Sequence, residues 1–181
     1  AFENIKRLLE YGAPVVSGST GWTDQLSDAK RICSENNGSF IYASNFSVGV
    51  NIFFELNKKL AELMAPHEEY EVLLEEIHHT QKKDAPSGTA ITLAEQVLEK
   101  IKRKKQWVNE LSDHPEDLEI ISQRIDPAPG THHVKYASTI DTIEITHTAH
   151  SRTGFASGAV IAAEFLMGKK GIFEMKNVLG L

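Results

Sequence analysis

The chain has 181 residues, 41% hydrophobic and 24% charged, with a formal net charge of -6, which is enough to bury a core in one or two domains without disulfide staples. This balance excludes intrinsic disorder and fibrous repeats, and the acidic excess argues against a general nucleic-acid binder, which needs a broad basic face. A lone cysteine, Cys33, cannot close an intramolecular disulfide, so a reducing, cytoplasmic setting is expected, and no apolar run approaches the roughly 20 residues of a bilayer span.

In chain order, Phe2, Ile5, Leu8 and Leu9 mark a first helix that stops at Gly12. Pro14 to Ser17 is a short buried-strand candidate running into the turn Gly18-Ser19-Thr20-Gly21, and a helix follows from Thr23-Asp24 to Asn36-Asn37-Gly38. Ser39 to Tyr42 is a second strand. This alternation predicts βα units on a parallel sheet. Val48 to Met64 reads as a longer helix whose apolar stripe is Ile52, Leu56, Leu60 and Leu63. Tyr70 to Ile77 is rich in strand formers, and a helix begins after Ser87.

Lys100 to Lys105 contains five basic residues in six, read as the solvated end of that helix, where cations suit the dipole. Three strand candidates follow, at Leu118 to Ile125, Thr131 to Ser138 and Thr142 to Thr148. In the last of them Ile143, Ile145 and His147 share one face, and a mixed or antiparallel sheet is expected. Gly154 to Met167 reads as a small-residue helix, with Ala159, Ala162, Ala163 and Leu166 suited to close packing.

The chemistry concentrates between His78 and Thr89. Successive strand residues point to opposite faces, so His78 and His79 can share a pocket only where the strand ends. Lys82, four residues on, can converge with an imidazole if the chain turns. A histidine exchanges protons near neutral pH, and a lysine donates one or neutralises an anion. In Asp84-Ala85-Pro86-Ser87-Gly88-Thr89, Pro fixes φ, Ser or Thr can cap the next helix and Gly88 admits close approach, so free amides of Gly88, Thr89 and Ala90 are expected to favour a carboxylate or phosphate. A plain capped helix explains Ser-Gly-Thr alone; the His-His and Lys upstream tilt the reading to a site. Eight histidines raise the question of a metal, but no ligand spacing is completed and none is expected. Cys33 has no neighbouring base and reads as a buried helix residue. The turns at Gly18 to Gly21 and Ala43 to Phe46 follow strands, where open α/β sheets bind ligands, and would lie side by side if those strands pair.

Glu76 through Ala90 matches at every fixed position the pattern E-x-H-H-x-x-K-x-D-A-P-S-G-T-A, and the chain thereby resembles the 4-hydroxy-tetrahydrodipicolinate (dihydrodipicolinate) reductase family. Gly18 to Trp22, Ala43 to Asn51 and Ser151 to Ala159 agree with the same family, so the resemblance covers essentially the whole chain. It implies an α/β fold, with part of a Rossmann-type nucleotide-binding domain (1–46, with a C-terminal return over 154–181) and an α+β substrate and tetramerisation domain with a mixed sheet (47–153).

The implied reaction belongs to lysine and diaminopimelate biosynthesis: reduction of a cyclic dicarboxylate with loss of water, using NADH or NADPH. By position His78 matches the catalytic acid/base and Lys82 the proton donor. His79, Gly88, Thr89 and, near the substrate, Arg152 match substrate contacts. Gly18, Ser19, Thr20, Ala43, Ser44, Asn45 and Phe46 match turns on the nicotinamide side, and a homotetramer is implied. The family's Gly-rich pyrophosphate loop and ribose selector precede anything in this sequence, so the 181-residue species is expected to bind NAD(P)H poorly and to be inactive without them. The alternative is a catalytically silent substrate-binding or assembly fragment.

Overall fold

The computed structural model describes all residues, 1–181, and divides into two compact units, one formed by Ala1–Asn51 with Thr153–Leu181 and the other by Ile52–Arg152. The second unit is thus an insertion into the first.

The first unit contains α1 (Phe2–Glu10), β1 (Val15–Ser17), a 3-10 turn (Thr23–Gln25), α2 (Leu26–Glu35) and β2 (Ser39–Tyr42). The start of α3 (Val48–Met64) also belongs to it, as do α5 (Thr153–Leu166), β8 (Gly171–Phe173) and α6 (Met175–Leu179). Its sheet is parallel throughout, in the order β1-β2-β8, with Val15 opposite Phe40 and Phe40 opposite Ile172. Phe40 and Ile41 are fully buried, as expected of a strand covered on both faces. Ile5, Leu9, Trp22, Ala29 and Ile32 pack around Phe40; Phe46, Ala162, Leu166 and Met175 pack around Ile41.

The second unit is a five-stranded mixed sheet in the order β4-β5-β3-β6-β7, built from β3 (Glu71–His78), β4 (Gln106–Val108), β5 (Asp117–Arg124), β6 (Gly130–Ala137) and β7 (Thr142–Ala149). β3 pairs parallel with β5 and antiparallel with β6. The predicted mixed sheet is therefore present, with β4 as a parallel edge strand too short to stand out in the sequence. Helix α4 (Gly88–Lys100) buries Ala90, Leu93, Ala94 and Val97.

Burial in β3 alternates strictly, with Val72, Leu74, Glu76 and His78 inward and Leu73, Glu75 and Ile77 half-buried on the opposite face. Pairing register puts Leu118, Ile120, Ser122 and Arg124 of β5 and Tyr136, Val134 and His132 of β6 on the inward side. The inward layer is therefore apolar at one end and changes to Glu76, Ser122, His132, His78 and Arg124 at the other. Hydrophobic burial fixes the register, and the register then sets where the polar groups meet.

Two expectations are corrected. The stripe predicted for α3 faces outward at Ile52, Leu56 and Leu63, all more than 40% exposed, whereas Val50, Phe53, Phe54, Asn57, Ala61 and Met64 are buried. The helix carries apolar residues around most of its circumference, so periodicity alone did not select the face. Asn57 tolerates burial because its amide donates to the Leu93 carbonyl at 3.0 Å and to Gln96 at 2.9 Å. Nor is the basic run 100–105 simply solvated. α4 ends at Lys100, and Lys104 turns inward, 5% exposed, to reach the Pro115 carbonyl at 2.8 Å and Glu71 at 3.0 Å. Arg103 donates to the Tyr70 carbonyl.

Candidate active site

Strand β3 ends at His78, and this termination separates the two histidines: His78 is 8% exposed, while His79 is half-buried at the start of the loop. The Ile125 amide donates to the His78 carbonyl at 2.7 Å and closes the strand end. In the loop, the Lys82 amide donates to the His79 carbonyl at 3.1 Å, and Asp126 receives both the amide and the hydroxyl of Thr80, at 3.0 and 2.6 Å.

Glu76, which the family pattern contains but to which sequence reasoning gave no role, is the hub of the buried side. The Ser87 amide donates to its two oxygens at 3.2 and 3.1 Å, Ser122 donates to Oε1 at 2.8 Å, and Arg124 reaches Oε1 at 3.2 Å. Its Oε2 lies 3.2 Å from His78 Nδ1. Burial works to raise the Glu76 carboxyl, but contacts from His78, Ser87 and Ser122 outweigh it and hold the group well below the usual carboxylate range. Arg124 also donates to the Asp84 carbonyl at 2.6 Å and so ties the hub to the loop.

His132 faces this hub across the sheet, its ring 5.1 Å from that of His78 and at 74° to it. Ser87 joins it to the helix start. The hydroxyl accepts from the Ala90 amide at 3.2 Å as the N-cap of α4 and lies within hydrogen-bonding distance of His132 Nε2, at 3.1 Å. Burial, followed by the neighbouring charge of His78, pushes His132 down to about 3, so it is neutral at physiological pH. The N-cap bond also corrects the expectation of three free amides at this helix start, because the Ala90 amide is taken by Ser87.

On the outer side, Lys82 bonds both Asp84 oxygens at 2.8 and 2.9 Å, and the ammonium draws the Asp84 carboxyl below its ordinary value. Arg152 lies 3.0 Å from His79 Nε2. A guanidinium can only donate, so His79 accepts there and carries its proton on Nδ1. Gly88 is exposed, and a Cβ there would meet nothing within 4 Å.

Glu76, His78 and His132 bring ligand-type atoms within 4.8 Å of one another, the composition of a metal set. Their bonding belongs to a different device. The Arg124 guanidinium engages Glu76 Oε1, and Ser87 Oγ lies 3.1 Å from His132 Nε2, so both groups already have hydrogen-bonding partners.

In the first unit the turns after β1 and β2 do meet. The Ala43 amide donates to the Ser17 carbonyl at 3.2 Å, and a Cβ on Gly18 would come within 3.1 Å of the Phe46 ring. Gly18, Ser19, Thr20 and Ser44 are exposed at the carboxyl ends of parallel strands, Ala43 and Asn45 are half-buried, and Phe46 is buried beneath them. Small exposed groups over an apolar floor fit the approach of a flat nicotinamide ring. Helix α5 supports the turn from the other side, because a Cβ on Gly158 would lie 1.9 Å from the Phe46 carbonyl oxygen.

Among known proteins, the family model for the C-terminal part of dihydrodipicolinate reductase matches residues 49–179. The 4-hydroxy-tetrahydrodipicolinate reductase of Christiangramia forsetii is 56% identical over 179 residues, which is 99% of this chain and 74% of that protein. The enzyme of the same name from Methanoregula boonei is 35% identical, over all of this chain and 71% of that protein. A solved dipicolinate-bound dihydrodipicolinate reductase from Paenisporosarcina sp. TG-14 has a TM-score of 0.70 and 27% identity, across 96% of this chain and 67% of that one. The two units and the His78 loop are thus those of an α/β reductase. The chain belongs to the 4-hydroxy-tetrahydrodipicolinate (dihydrodipicolinate) reductase family.

Proposed function

We propose that the loop from His78 to Thr89 is where this family member reduces 4-hydroxy-tetrahydrodipicolinate to tetrahydrodipicolinate, with His78 as acid/base and Lys82 as proton donor. His79, Gly88, Thr89 and Arg152 hold the substrate carboxylates. The observation that carries the reading is the pairing of the buried His78 with a surround of donors, the half-buried Lys82, the exposed Arg152 and the start of α4, suited to a small dianion. The Paenisporosarcina reductase binds dipicolinate, a planar dicarboxylate of this class.

NADH or NADPH, the family's reductant, supplies the hydride when bound. The turns at Gly18 to Thr20 and Ala43 to Phe46 would hold its nicotinamide side. His78 and Lys82 serve the proton balance: departure of the substrate hydroxyl as water takes up one proton, which a positioned Nε2–H or ammonium delivers without drawing on solvent. Lys82 must first release Asp84, and a substrate carboxylate offers it an equivalent partner. By this division of labour, residues 1–46 and 154–181 serve the cofactor and 47–153 the substrate.

We also propose a homotetramer in the cytoplasm. The outward sheet face, with Leu73, Glu75, Ile77 and Ile121 half-buried, suits packing against a second copy, and no helix is long and apolar enough to cross a membrane. The test is NAD(P)H oxidation by the complete polypeptide, supplied with 4-hydroxy-tetrahydrodipicolinate, beside dipicolinate titration. Substrate-dependent oxidation that dipicolinate inhibits is expected. Dipicolinate binding without turnover would give the silent-fragment reading, and neither binding nor turnover would overturn both.

A further inference from the structure

We infer that Glu76 is the positioning residue of this site: with Oε1 pinned by Arg124 and Ser122, it turns Oε2 to His78 Nδ1 and so fixes Nε2 as the atom that transfers the proton. This rests on the proposed acid/base role of His78 and adds a cause for its geometry.

Three observations support it. First, Glu76 is fully buried yet fully engaged, bound by β5 through Ser122 and Arg124 and by the N-cap residue of α4 through the Ser87 amide. A carboxylate so held cannot swing away, and it presents its one remaining direction to His78. Second, a carboxylate accepts and never donates when ionised, so a ring nitrogen 3.2 Å away is stabilised in its N–H form. The contact is at ion-pair distance without the angle of a formed hydrogen bond, and Nδ1 has no other partner. Such bonds commonly tighten when substrate binds. Third, Nε2 is kept open on one side by Gly130, since a Cβ there would come within 3.0 Å of that nitrogen.

His132 completes the device. Two imidazoles 5.1 Å apart compete for protons. Burial settles the competition by keeping the His132 ring neutral. When doubly protonated His78 gives up its Nε2 proton, it becomes a neutral ring still carrying Nδ1–H toward Glu76, and Glu76 itself neither gains nor loses a proton. The carboxylate thus orients and compensates, as such partners do for other acid/base histidines.

The test has a structural and a kinetic part, both on the complete polypeptide. In ¹⁵N-histidine NMR of the unmodified protein at a pH where His78 is neutral, its signal should report the Nδ1–H tautomer; an Nε2–H tautomer would overturn the inference, with no variant required. In kinetics, Glu76→Gln should lower kcat about 10- to 100-fold, with KM changed less than about 3-fold, and should displace the acidic limb of the pH profile. In the double variant with His78→Ala, the Glu76 change should cost nothing more, because it acts only through the ring. Multiplying losses, or unaltered kcat and pH profile in a folded Glu76→Gln, would overturn positioning while leaving His78 in place. Full activity of His78→Ala would instead remove the underlying reading.

Discussion

The two ends of the His78 to Thr89 segment are built on opposite principles. At the buried end, Glu76, His78, His132 and Ser87 are packed together around a carboxylate held by the Ser87 amide, Ser122 and Arg124. At the exposed end, His79, Lys82, Asp84 and Arg152 hold one another through pairs that water or a ligand replaces at little cost. The first end decides which atom reacts. The second yields to the substrate, and an enzyme for a small dianion needs both, because rigid donors alone would bind without admitting and loose ones would admit without aligning.

The contrast can be broken by substitution, beginning with the largest expected effect. His78→Ala in the complete polypeptide should lower kcat by about 10²-fold or more, the loss expected for a general acid, and unchanged turnover would assign the acid elsewhere. Next comes acid titration of stability. The His132 value is about 3 when folded against 6.5 in the unfolded chain, so between those values unfolding takes up a proton and stability falls as pH drops, with a limiting slope of about 1.4 kcal/mol per pH unit. Glu76 adds loss in the same direction, but only below about its ordinary value of 4.5. His132→Gln, which can still hydrogen-bond to Ser87, should therefore flatten denaturant-measured stability between roughly pH 6.5 and 4.5; an unchanged slope would refute the neutral assignment.

Gly130→Ala should cost about 1–3 kcal/mol of stability through crowding at Nε2 and reduce kcat more than it raises KM. Smallest is Asp84→Asn at the exposed end, for which thermal melts should show less than about 0.5 kcal/mol of change. A loss as large as that of Gly130→Ala would mean that the two ends are not built differently.

Much of this was legible in the sequence, for local reasons. The alternation of β3, the cap at Ser87 and the termination after His78 all follow from short-range periodicity and backbone preference, and the motif made the family recognisable. His132, Ser122 and Arg124 were not assigned roles, because they reach Glu76 only through strand pairing across about 46 residues or more, which no local pattern encodes. Glu76 itself could have been found, since position i-2 on a strand shares the face of His78. The inward turn of Lys104 and the outward stripe of α3 were missed because both depend on which neighbours were available to cover them.

The insertion of residues 52–152 into the first unit has a consequence for synthesis. β2 lies between β1 and β8, and α5 underlies the Phe46 turn, yet β8 and α5 are made only after the whole second unit. At ordinary translation rates the Phe40-Ile41 strand waits on the order of ten seconds for its second neighbour, one edge unpaired. The domain begun first is the last to be finished. Before then, ribosome-bound chains would carry a complete β3 to β7 sheet beside an exposed apolar strand, a window in which chaperones and proteases have their best access.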